Sequence, residues 1–175
     1  MAYEGELLIS CPTDIDFTAT QAVVVSGASW NPCGHMILCA GSDSATSWYF
    51  HVAGAPTFSE LYGFYAFPKF LREGDFAHYL SDNGKHEIRR MDAAIRNPAA
   101  AYTRLMQLMA DKWFWRVLPH NCASFAKEII SAGEGNLTVL LNCPDQEVAQ
   151  KFVTGLGKAI KRVGEFQRSN PGPKW

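Results

Sequence analysis

His120-Asn121-Cys122-Ala123-Ser124-Phe125-Ala126-Lys127-Glu128-Ile129-Ile130 reads as a polar stop followed by a helix. Asn121 has the chemistry of an N-cap, because its side-chain oxygen accepts one of the unpaired N–H groups of a first turn. Cys122 then stands on that first turn. The partial positive charge of a helix N-terminus favours thiolate over thiol, so the position predicts a lowered cysteine pKa. The same free N–H groups suit a developing oxyanion. Asn121 and Cys122 together therefore offer a nucleophile and part of an oxyanion hole. The helix is expected over 122–131, stopped near Gly133 and Gly135.

Working outward, the second half of the chain is helical in pattern. Asn97-Pro98 pairs a cap with a proline at the first helical position. Tyr102, Leu105, Met106, Met109 and Trp113 recur behind it at helical spacing. Residues 137–141 read as a short strand. Val148, Phe152, Leu156, Ala159, Ile160 and Val163 stripe a last helix, weakened by Gly155 and Gly157, and 169–175 read as a tail.

The first half is punctuated like a sheet. Strands are expected at 6–10, 21–26, 35–40 and 48–52, with an aromatic strand or strand-loop at 61–68 and a further strand at 86–91. Asn31-Pro32-Cys33-Gly34 and Asp82-Asn83-Gly84 are turn signals, and 69–85 otherwise read as loop. The sum is an α+β class: an antiparallel sheet with the nucleophile helix packed against it. No repeat or linker divides residues 1–168, so they are expected to form one domain.

Composition narrows the function. The chain has 175 residues, 47% of them hydrophobic and 19% charged, which is a packed globule rather than a disordered chain. A net charge of −1 gives no bulk attraction for nucleic acid or an anionic membrane. The N-terminus lacks the basic and apolar regions of a secretory signal, and no window is long and apolar enough for a transmembrane anchor. Cys11, Cys33, Cys39, Cys122 and Cys143 form an odd set without a compact disulfide pattern. Mostly reduced thiols are therefore expected, with synthesis in a reducing cytosol. Cys11, Cys39 and Cys143 read as small buried hydrophobes.

A nucleophilic cysteine needs a base, and the base needs an orienting group. Of His35, His51, His78, His86 and His120, His35 fits best, because it opens a strand directly after Gly34. His51, on the next strand, is the matching orienting group, with Asp43 and Asp92 as alternatives. Trp30, Tyr62, Phe64 and His120 are candidate cleft residues. Cys33, His35 and Cys39 offer a competing zinc set. The strand rise separates residues 35 and 39 by about 13 Å, too far for one ion.

Gly34-His35 on a strand, a polar residue on the next strand, then Asn121-Cys122 opening a helix resembles the circularly permuted branch of NlpC-type papain-like proteins. In that branch histidine precedes cysteine. Asn121-Cys122-Ala123-Ser124-Phe125 resembles the Asn-Cys-x-x-Phe pattern of the lecithin–retinol acyltransferase-like branch. Tyr62-Gly63-Phe64-Tyr65 resembles an aromatic motif of papain-like domains in bacterial exported toxins. The resemblance implies a permuted papain-like fold, with Cys122 as nucleophile, His35 as base and His51 as orienting group. It implies no cofactor or metal, and hydrolysis of peptidoglycan peptides by an effector exported without a cleaved signal. An immunity protein blocking the cleft would be its partner. Two other readings keep the same residues: acyl transfer from membrane phospholipid, and a papain-like shell that only binds.

Overall fold

The computed structural model describes residues 3–4, 15–27, 33–43, 46–52, 64–115 and 121–140, together with helical residues 154, 155, 157, 158 and 161. The strand expected at 6–10, the Asn31-Pro32 turn, most of the last helix and the tail lie outside the described residues. The strands are β1 Tyr3–Glu4, β2 Thr20–Val25, β3 His35–Ala40, β4 Trp48–His51, β5 Phe64–Ala66, β6 Lys69–Arg72, β7 Glu87–Asp92 and β8 Trp113–Trp115. The helices are α1 Glu73–Asp82, α2 Pro98–Met109 and α3 Cys122–Ala132, with short 3₁₀ turns at Phe17–Ala19 and Leu137–Leu140.

Six strands form one antiparallel sheet in the order β1-β6-β4-β3-β2-β7. Its central strands are apolar at almost every position because both faces are covered. Ala22, Val24, Met36, Leu38, Trp48 and Phe50 pack with Phe125, Ala126, Ile129 and Ile130 of α3 and with Leu105 and Met109 of α2. The alternate residues Val23, Val25, Ile37, Cys39 and Tyr49 face the other way, onto Phe76, Tyr79 and Leu80 of α1. The alternation follows from the two-residue period of a strand. It assigns His35, at the head of the Ile37–Cys39 row, and His51, two residues after Tyr49, to the α1 face. A separate ribbon pairs β5 with β8.

Local chemistry explains the boundaries. The Asn97 side chain accepts from the Ala100 N–H with Pro98 behind it, so α2 begins where expected. Asn121 caps α3 by accepting from the N–H groups of both Ala123 and Ser124, while Ser124 Oγ accepts from the Asn121 N–H in return.

Four expectations are corrected. Residues 69–82 are not loop but β6 and α1. Arg72 supplies no side-chain cap and Gly74 weakens the first turn, so tertiary contacts hold the helix: the Phe76, Tyr79 and Leu80 face and the Tyr49 hydroxyl donating to Glu73. Trp113 matches the α2 period, but the helix stops at Met109 and Trp113 joins β8, set edge-on to Phe125 at 5.7 Å between ring centroids. Leu137–Leu140 is a 3₁₀ turn rather than a strand, held by Asn136 Oδ1 accepting from the N–H and hydroxyl of Thr138. In a set expected to be mostly reduced, Cys33 is disulfide-bonded to a partner outside the described residues, whereas Cys39 and Cys122 are free and buried.

Candidate active site

Gly34 sets the geometry. Its φ is +76°, in the left-handed region, and a Cβ there would lie 2.5 Å from the carbonyl oxygen of Val25. Val25 is the residue paired with His35 across β2 and β3. Only glycine lets the chain turn this tightly against β2 and present His35 as the first strand residue.

At that end of the sheet β3 and β4 part. Their register runs from Ala40↔Trp48 to Leu38↔Phe50 and goes no further. The Met36 N–H donates instead to Cys122 Sγ, at 3.4 Å. The sulfur, carried in by the first residue of α3, thus lies against the peptide bond that joins His35 to Met36. The two imidazoles bridge the diverging strands: His35 Nε2 is 2.9 Å from His51 Nδ1, with the rings nearly perpendicular at 77°.

Of the sequence-derived residues, His35 and His51 are therefore in direct contact, and Cys122 is set against the backbone beside His35, with Asn121 fixing the helix end. The described bonds of Sγ do not include one to the His35 ring. His35 Nδ1 makes no described hydrogen bond. Catalytic bonds of this kind are commonly loose before substrate binds.

The other candidates separate. Asp43 closes its own turn, accepting from the Thr46 N–H, and Asp92 accepts from the Ala94 N–H, so neither orients His35. Phe64 lies on the β5–β8 ribbon with its ring 5.3 Å from that of Trp115. Trp30, Tyr62 and His120 lie outside the described residues. The Cys33, His35 and Cys39 zinc set is broken because Cys33 is in a disulfide, and no group of three His, Cys, Asp or Glu among the described residues is arranged to hold a metal ion.

Helix α1 adds two residues that the sequence reading passed over. The Tyr79 ring packs on His51, 5.4 Å between centroids. Lys85, just past the helix, donates from Nζ to the Ser26 carbonyl at 3.0 Å, at the end of β2 beside the His35 pairing. Both were hidden because 69–85 lacks a cap signal. The i, i+3, i+4 spacing of Phe76, Tyr79 and Leu80 was the available clue.

Burial dominates the electrostatics. It pushes the Cys122 thiol up, against the opposing pull of the Met36, Ala123 and Cys122 N–H groups. This reverses the lowered pKa expected from the helix N-terminus. Burial, then His51 and Lys85, holds His35 well below the usual histidine value. Burial, then Lys69 and Lys85, brings His51 down to about 4. Burial, reinforced by the neighbouring Cys122, pushes the Tyr79 hydroxyl up to about 12. At neutral pH the resting site is thiol and neutral imidazoles. His51 Nε2 is buried without a hydrogen-bond partner among the described residues.

Comparison with protein-family models, curated proteins and solved structures finds no significant match to this chain. No helix among the described residues is long and apolar enough to cross a membrane.

Proposed function

We propose that the chain is a cysteine hydrolase of permuted papain-like architecture that cleaves amide bonds, with peptidoglycan peptides as substrate, in an exported antibacterial effector. The observation that carries this reading is the convergence of Cys122 Sγ, the first residue of a capped helix, on the strand start that holds His35 against His51.

In this mechanism the neutral His35 carries its proton on Nε2 and donates it to His51 Nδ1, which leaves Nδ1 free to act as base. Nδ1 takes the thiol proton as Cys122 Sγ attacks the scissile carbonyl carbon. The oxyanion forms at the α3 N-terminus, where Asn121 occupies the N–H groups of Ala123 and Ser124 and the Cys122 N–H is the first-turn donor left to it. The carbon–nitrogen bond breaks as His35 returns the proton to the leaving amine. Water, deprotonated by His35, then hydrolyses the thioester. His51 fixes the ring and tautomer, as the third member of such triads does.

The Cys33 disulfide supports an environment more oxidising than the cytosol, consistent with export. An immunity protein covering the cleft completes the proposal. The test is incubation of purified sacculi with the wild-type chain and with Cys122→Ala. New free amines are expected from the wild type alone. Equal release by both, or none by either, overturns the substrate assignment. Release of fatty acid from phospholipid vesicles in place of amines would move the activity to lipid acyl groups.

A further inference from the structure

Among the described residues Lys85 is a cation with no anion beside it. Its ammonium is half-buried, and burial lowers its basicity. One hydrogen bond to the Ser26 carbonyl is its only described bond. Among the described residues no carboxylate pairs with it. The backbone already ties this corner together without it: the Ser26 N–H donates to the His86 carbonyl, and the His86 N–H donates to Ser26 Oγ. An ammonium half out of water costs free energy unless it is paired. Holding it there also works against the neighbouring imidazoles, because its field disfavours their protonated forms. A positive charge held at a corner that backbone bonds already close, beside His35, points to a ligand that supplies the missing negative charge.

We infer that Lys85 is the specificity-determining group of the site, binding a carboxylate of the substrate peptide next to the scissile amide. The inference rests on the cysteine hydrolase reading and names the substrate class within it. The ammonium has three donors, and the Ser26 carbonyl takes one, so two N–H groups remain for a carboxylate. The bound carboxylate would also offset the field of Lys85 at His35 and make the base stronger only when the correct substrate is present. A peptide carboxylate fits better than a membrane surface, because the Lys85 ammonium is half-buried and tied to the Ser26 carbonyl rather than projecting into solvent.

The experiment needs no knowledge of the natural substrate. Alkylation rates of Cys122 in the full-length chain are measured by peptide mapping with iodoacetate, which is anionic, and with iodoacetamide, which is neutral. The ratio of the two rates is compared between the wild type, Lys85→Gln and Lys85→Arg. The Gln variant is expected to lower the ratio by about fivefold at low salt, on the order of one screened charge pair within a Debye length, and the Arg variant to restore most of it. An unchanged ratio in Lys85→Gln overturns the inference while leaving the hydrolase reading in place. A Cys122 inert to both reagents overturns both. With muropeptides from digested sacculi, amidation of the carboxyl groups is expected to raise KM for the wild type and to leave it unchanged for Lys85→Gln. Cleavage of anionic phosphatidylglycerol vesicles that depends on Lys85 would assign the charge to a phosphate and overturn the peptide assignment.

Discussion

Gly34→Ala separates backbone geometry from everything else at the site. The left-handed conformation at φ +76° costs a non-glycine residue about 1–2 kcal/mol. The new methyl would also meet the Val25 carbonyl oxygen at 2.5 Å and Val24 Cγ1 at 3.1 Å. Neither neighbour can retreat cheaply, since both residues are paired with β3 on one side and, across a bulge, with β7 on the other. Overpacking of this kind adds about 1–3 kcal/mol. Alanine recovers about 0.4–1 kcal/mol by restricting the unfolded chain. The expected net loss is therefore about 2–4 kcal/mol, a large fraction of the roughly 5–15 kcal/mol that holds most domains together. Urea unfolding followed by tryptophan fluorescence would show the midpoint falling at constant slope. A loss below about 1 kcal/mol would refute the tight turn, and with it the account of how His35 is aimed.

The remaining expectations concern the helix end and the titrating groups. Asn121→Ala removes the acceptor for two N–H groups and should cost about 1–2 kcal/mol in the same unfolding assay, whereas Asn121→Asp should cost less. Cys122 alkylation by iodoacetamide should climb through the alkaline range, because burial raises the thiol; a rate already at plateau near pH 6 would contradict that assignment. His35 and His51 are held neutral, with folded values below the unfolded one. Their contribution to stability is complete above about pH 6.5 and lost as pH falls. His51 alone, brought down to about 4, should weaken the fold by up to about 3 kcal/mol between pH 7 and 4, and His51→Asn should flatten that acid limb. Lys85→Gln should change charge selectivity at Cys122 and leave the unfolding midpoint nearly unmoved.

The cap of α3 and the pairing of His35 with His51 were more legible than the fold around them. Asn121-Cys122 announces its helix through cap chemistry that acts within four residues, and β3 follows from an unbroken apolar run between two glycines. Such signals are local. Helix α1 signals weakly: it begins without a side-chain cap, contains Gly74, and is held by tertiary contacts, chiefly Phe76 stacked on Tyr49 at 4.0 Å between ring centroids. That contact is tertiary, so no window of sequence contains it. Trp113 failed for the opposite reason. Its spacing suits α2, but pairing Ala66 with Trp113 and packing on Phe125 outweigh one further helical turn. The Cys33 disulfide was hidden because connectivity cannot be read from an odd set of cysteines.

The reversal at Cys122 follows from comparing two magnitudes. A helix N-terminus favours an anion by about 0.3–1 kcal/mol, and by about 2 in favourable buried geometries. Removing a charge from water costs several kcal/mol even after relaxation. Cys122 is shielded by β3 on one side and by Phe125 and Ala126 of its own helix on the other, so the second term is larger. The same arithmetic keeps His35 neutral, and the charges of Lys69 and Lys85 deepen the effect at His51. A preformed thiolate–imidazolium pair is therefore not the resting state of this site. In the proposed hydrolysis charge would arise during the reaction, when proton transfer to His35 and attack on the carbonyl move the negative charge onto an oxygen at the end of α3. An anionic substrate at Lys85 would lower the cost of the imidazolium at that moment, so binding and chemistry would be coupled through one ammonium group.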